Sequence, residues 1–293
     1  MNQVTVGIIG GTGGMGRLFE KLFIKAGHRV LIAGRKTELT YLDLAQQSDV
    51  IILSTPEESS LEICDQIGPH IPAHKALMDF CSLKQRIVKK MAECTQAEVV
   101  GTHPMFGPYT ECIKGQNIIL CPARGNRWYK WIEAEFKREG AVVSTMEPAS
   151  HDKAMAVAQG LTHFLTICMG RTLQKLDMSP ADAGPYSTPI FKLKNDLIGR
   201  LFAQDPDLYV TLVGENPYVE DVLSMFMQSI EEGKKAMLSG NRTDSLDFLY
   251  NIREFLGDFC TSGLEESNKI MRSVVCSAKG GASISEKKEG YGK

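Results

Sequence analysis

A chain of 293 residues, 23% charged and 43% hydrophobic, has the composition of a soluble globular enzyme and the length of two domains, each large enough for its own core. Its net charge of −2 supplies no field to draw nucleic acid or an anionic membrane, and no apolar run reaches the roughly 18 residues of a membrane span. Eight scattered cysteines form no CxxC pair and no zinc-like spacing with histidine, and MNQVTVGIIGG enters a strand pattern without a signal-peptide layout; both predict reduced, packed thiols in a cytoplasmic protein.

The first half alternates short β-rich runs with amphipathic stretches, the pattern of βαβ units in a parallel sheet. Strands are predicted at residues 4–9, 29–33, 50–54, 76–80, 98–101, 117–120 and 141–144, with helices following from Met15, Glu57, Leu83 and Asn126. Directly after the first strand, Gly11-Thr12-Gly13-Gly14-Met15-Gly16 matches GxGxxG and leads into a helical run. Glycines there permit a tight turn, close backbone approach to a pyrophosphate and packing of the helix on the strand. The expected cofactor-binding set is Gly11, Thr12, Gly13, Met15 and Gly16, joined by Ser54 and Pro56 at the end of the third strand. The fold class expected is α/β, a Rossmann-type doubly wound parallel sheet followed by an all-helical domain.

After the second strand an NAD enzyme usually places an acidic residue for the ribose hydroxyls, whereas this chain reads Ala33-Gly34-Arg35-Lys36-Thr37. Arg35 and Lys36 suit a 2′-phosphate, which predicts NADP with NAD as the alternative; ordinary surface cations are the other reading of the pair. At the carboxyl edge of the sheet, where ligands of doubly wound folds bind, Ser82 follows the fourth strand and His103 the fifth. In the usual 3-2-1-4-5-6 order those strands are neighbours.

Beyond about Ser150 the β pattern stops, and helices are punctuated at Gly184-Pro185, Asp205-Pro206, Asn216-Pro217 and Gly240-Asn241. The domains are set at residues 1–149 and 150–276, with 277–293 a mobile tail rich in Gly, Ser, Lys and Glu. Residues 151–173 form a helix apolar on nearly all sides, which predicts burial and a homodimer to complete it. On it Gln159 and His163 lie one turn apart and need polar partners. Gly199 before Arg200, inside a helical pattern, costs about 1 kcal/mol relative to Ala, which close approach of a ligand or backbone would explain.

The segment GTHPMFGP resembles the HPMFGP signature of the prephenate dehydrogenase family, and FCSLK its strand-terminal Ser-x-Lys segment. HDKAMAVAQGLTHF is similar to the helix opening the family's second domain, and PIFKLKNDLIGRLFAQDPDLY to its substrate-binding helix and following turn. These matches run in family order through most of the chain. The resemblance implies oxidative decarboxylation of prephenate in tyrosine biosynthesis, with hydride transfer to a nicotinamide and no metal. It makes His103 the histidine that bonds the ring hydroxyl, with Ser82 beside it and His163 a second active-site histidine. It also implies Arg200 as anchor of a substrate carboxylate and Tyr209 as an aromatic near the pocket mouth, while Gln159, one turn before His163, is expected to be a further substrate contact. No chorismate mutase or regulatory segment is recognised, which predicts a monofunctional enzyme. Arogenate dehydrogenase, a deazaflavin-dependent NADP oxidoreductase and a non-catalytic NADP-sensing regulator are the alternatives.

Overall fold

Short uncharged runs such as Val50-Ile51-Ile52-Leu53 are buried on both faces, as strands covered by helices on either side must be. In the computed structural model, which describes residues 3–281 and side chains through residue 274, seven runs join in one sheet. They are β1 Thr5–Ile9, β2 Arg29–Ala33, β3 Val50–Leu53, β4 Ala76–Asp79, β5 Glu98–Pro104, β6 Asn117–Arg124 and β7 Val142–Thr145. Their order is β2-β1-β3-β4-β5-β6-β7, parallel throughout except for the antiparallel pair β5 and β6. The 3-2-1-4-5-6 expectation is thereby corrected: β2 is an edge strand and β3 lies on the far side of β1. The neighbourhood of β4 and β5 holds.

The period-two alternation of the strands sorts their side chains onto two faces. Ile9, Ile51, Leu53, Leu77 and Val99 pack with Leu44 of α2 (Tyr41–Gln47), Ile63 of α3 (Glu57–Ile67) and Ile87 and Met91 of α4 (Gln85–Cys94). Val6, Ile8, Ile52 and Met78 pack with Phe19 and Phe23 of α1 (Gly14–Lys25) and Ile132 and Phe136 of α5 (Arg127–Arg138). Helix α2 has no counterpart among the expected elements; it starts at Thr40, whose hydroxyl caps the Asp43 amide at 3.1 Å. Cys64, Cys81 and Cys121 are buried as expected of packed thiols, whereas Cys112 and Cys168 are exposed.

The chain divides into two units, Met1–Ala156 and Val157–Lys293. The expected single helix over residues 151–173 is instead three pieces: α6 Pro148–Met155, a π-helical turn Ala156–Leu161 and α7 Thr162–Lys175. Nor is α7 buried within the chain, since Leu173 is its one fully covered residue and Leu165 is 44% exposed. The second unit continues with α8 Pro189–Phe202, α9 Pro206–Tyr209, α10 Val219–Met237, α11 Arg242–Leu256 and α12 Phe259–Gly281. Thr188, Asp205 and Asn241 cap α8, α9 and α11 through their side chains, so Asp205 and Asn241, read from the sequence as turn residues, also start helices. A Cβ on Gly170 would meet Phe202 at 2.9 Å, so α7 and α8 are held close by that glycine. Residues 277–281 of the expected tail belong to α12, and residues 282–293 lie outside the described residues.

Candidate active site

The glycine-rich turn has the shape its sequence requires. Gly10 has φ +85°, and a Cβ on it would lie 2.3 Å from the Ser54 carbonyl oxygen and 2.8 Å from the Thr55 methyl, so the turn is pressed against Ser54 and Thr55 just after β3. A Cβ on Gly16 would meet Gly11 Cα at 2.5 Å, which is the helix-to-turn contact the third glycine of such a motif allows. Helix α1 starts at Gly13 with no side-chain cap and no acidic residue in its first turn, leaving its N-terminal amides and positive dipole end to an anion. These features fit a dinucleotide pyrophosphate. At the end of β2, Thr37 closes a tight turn by accepting the Gly34 amide at 2.9 Å and donating to the Gly34 carbonyl at 3.0 Å. That turn presents Arg35 and Lys36 to solvent, and beside it Gly34, Arg35, Leu39 and Tyr41 help line a cavity of about 350 Å³, room for an adenosine.

The HPMFGP segment reaches back to the same turn. Pro108 would be 2.7 Å from a Cβ on Gly14, and Phe106 stacks on Phe19 of α1 with centroids 6.3 Å apart. His103 is part of β5 rather than of the loop after it, paired across the ladder with Ile119. Beneath it, Asp79 at the end of β4 forms a fully buried ion pair with Lys84 and accepts the amides of Cys81 at 2.8 Å and Thr102 at 3.3 Å. Lys84 also donates to the Thr102 carbonyl at 3.2 Å. The pair therefore clamps the segment carrying Ser82 to the strand carrying His103. Among the described residues no hydrogen bond joins Ser82 to His103; the nitrogen Nδ1 of His103 lies instead 2.8 Å from His151 Nε2.

His151 is fully buried on α6, and its Nδ1 lies 2.7 Å from Asp152 Oδ1. Burial, the Lys84 cation and His151, in that order, push the His103 imidazole well below the ordinary 6.5, so it is neutral at neutral pH. Asp79, Lys84, His151 and Asp152 were not among the expected site residues. The sequence signal for the last two was a His-Asp pair at the opening of an apolar helix.

In the second unit, His163 of α7 meets Tyr209 edge to face, ring centroids 5.1 Å apart, and burial lowers the imidazole's pKa. Tyr209 is 8% exposed, in a cluster with Leu201 and Leu212. Gln159 lies in the π-helical turn with its Oε1 buried and unpartnered. Arg200 is exposed in the last turn of α8. Asp196 is paired with Lys192 at 2.9 Å. A Cβ on Gly199 would meet nothing within 4 Å among the described residues, so no close approach there accounts for that glycine.

Residues 24–145 match the family described as "Prephenate dehydrogenase, nucleotide-binding domain", and residues 147–251 match "Prephenate dehydrogenase, dimerization domain". A probable arogenate/prephenate dehydrogenase of Methanocaldococcus jannaschii is 28% identical over 93% of this chain, and the T-protein of Haemophilus influenzae is 29% identical over 91%. The chain spans 66% and 71% of those proteins' own lengths. The crystal structure of prephenate dehydrogenase from A. aeolicus, in complex with hydroxyphenyl propionate and NAD+, superposes with a TM-score of 0.72 at 21% identity, covering 86% of this chain and 97% of that one. With both halves of the chain matched in order, it belongs to the prephenate dehydrogenase family of NAD(P)-dependent oxidoreductases.

Proposed function

We propose that this protein converts prephenate to 4-hydroxyphenylpyruvate, with NADP preferred over NAD, as a cytoplasmic homodimer in tyrosine biosynthesis. The observation that carries the reading is a neutral, buried histidine at the carboxyl edge of the sheet, in the same unit as a glycine-rich turn shaped for a dinucleotide. A bound nicotinamide would accept hydride from C4 of the substrate ring. His103 takes the hydrogen of the C4 hydroxyl as the carbon–hydrogen bond breaks, and returns it to the ring oxygen once CO2 has left C1 and the ring is aromatic. The proton and electron count closes on one hydride transferred and one CO2 released. Ser82 is proposed to lie along the same edge, and Arg200 to hold a carboxylate through its planar fork, with Gln159, His163 and Tyr209 as further contributors from the second unit.

Arg35 and Lys36, with no acidic residue in their place, favour a 2′-phosphate. Arogenate differs from prephenate by an ammonium in place of the side-chain keto group, and Asp196 is the residue of α8 that could choose it. Its pairing with Lys192 favours prephenate. Steady-state turnover with both substrates and both cofactors tests these statements together. Prephenate with NADP is expected to give the highest kcat/KM, and Arg35→Ala to weaken NADP far more than NAD. A wild type that prefers arogenate, or an Arg35→Ala variant that affects both cofactors alike, contradicts the corresponding part.

A further inference from the structure

His103, His151 and Asp152 admit one consistent set of hydrogens when both imidazoles are neutral. The Asp152 carboxylate sits at the start of α4, Oδ1 accepting the Lys84 backbone N–H and Oδ2 that of Gln85, both at 2.8 Å. A carboxylate has no hydrogen to give, so the nitrogen 2.7 Å from Oδ1, Nδ1 of His151, is the donor. His151 Nε2 then carries the lone pair, and His103 Nδ1, 2.8 Å away, donates to it. One form remains for His103: hydrogen on Nδ1 and a free lone pair on Nε2.

We infer that His151 and Asp152 are positioning residues for this reaction, holding His103 in the tautomer whose Nε2 can take the substrate's hydroxyl proton. The inference rests on the reading of His103 as the base. When the hydroxyl O–H bond breaks and a bond to Nε2 forms, His103 Nδ1–H still points at His151 Nε2. The new positive charge is then polarised toward a ring whose far nitrogen rests on a carboxylate. The same chain keeps the ring from rotating, because His103 and His151 meet edge to face with centroids 5.0 Å apart and both are buried. A purely structural role would tie α6 to α4 and β5 but would be indifferent to which nitrogen of His103 carries the hydrogen.

The test uses the full chain in two measurements. Nitrogen-15 imidazole spectra, assigned by single His→Gln variants of the six histidines, should show both His103 and His151 protonated at Nδ1 and bare at Nε2 at neutral pH. In His151→Phe, which fills the ring's volume without offering an acceptor, His103 should shift toward the form with hydrogen on Nε2. Kinetically, His151→Phe should lower kcat on prephenate by on the order of 10²-fold with KM nearly unchanged, and His151→Gln, whose amide oxygen can reach the Nε2 position, should recover about tenfold of that loss. Wild-type His103 carrying its hydrogen on Nε2, or a His151→Phe kcat within about threefold of wild type while His103→Ala is inactive, overturns the relay. A His103→Ala variant with near-normal kcat overturns the base assignment and the relay with it. A wild type that leaves prephenate untouched refutes the proposed substrate, and the spectra alone then decide the tautomer.

Discussion

His103 is a basic group kept uncharged by its surroundings, and that has a cost in acid. Unfolded, the imidazole binds a proton below its ordinary 6.5; folded, burial resists that proton first, then the Lys84 cation and His151, while Asp79 and Asp152 stand on the far sides of those two groups. Below 6.5 the unfolded chain therefore holds more protons than the folded one. The stability is fully present above that pH and is lost as pH falls toward the folded value. Urea unfolding between pH 5 and 8 should show a steeper acid loss for the wild type than for His103→Gln, and parallel curves would rule the effect out. His103 was legible in the sequence because it follows a β-rich run at the edge where ligands bind. Its supports were not, since His151 lies 48 positions away and only folding brings the two rings together.

At the scale of elements, the clamp between the end of β4 and the middle of β5 depends on a charged pair with no access to water. Lys84→Met would leave the Asp79 carboxylate buried beside the amides of Cys81 and Thr102 without its cation. The expected loss is about 3–5 kcal/mol in denaturant unfolding, and a change below about 1 kcal/mol would show the pair to be dispensable. The strands were legible because their apolar runs are short and bounded by turn residues, and the glycine turn because each glycine answers a specific clash. The extension of β5 through Thr102, His103 and Pro104 was hidden, because polar residues and a proline read as loop until β6 supplies an antiparallel partner. Helix α2 was missed for its seven-residue length. The position of β3 could not be read at all: periodicity states which runs are strands, and not which side of β1 each one joins.

For the whole molecule, the two units differ in how they are held together. The first has two extensive cores, one on each face of its sheet. In the second, the buried apolar cluster is Leu201, Tyr209 and Leu212, while Leu197, Phe202, Met225, Phe255 and Phe259 are exposed. Sequence reasoning found the apolar excess and expected burial; what it could not show is that the helices of this unit leave these side chains exposed, because periodicity does not say what an apolar face packs against. Residues 147–251 match a dimerization domain, and the proposed homodimer would cover these side chains. Sedimentation at micromolar concentration should give twice the 32.3 kDa chain mass, and a monomer there would contradict the proposal. In the proposed homodimer, the thin core of the second unit would also tie its folding to mass action. Its melting temperature should rise with protein concentration while that of the first unit stays fixed, so dilution acts as a denaturant on one half of the chain and not on the other.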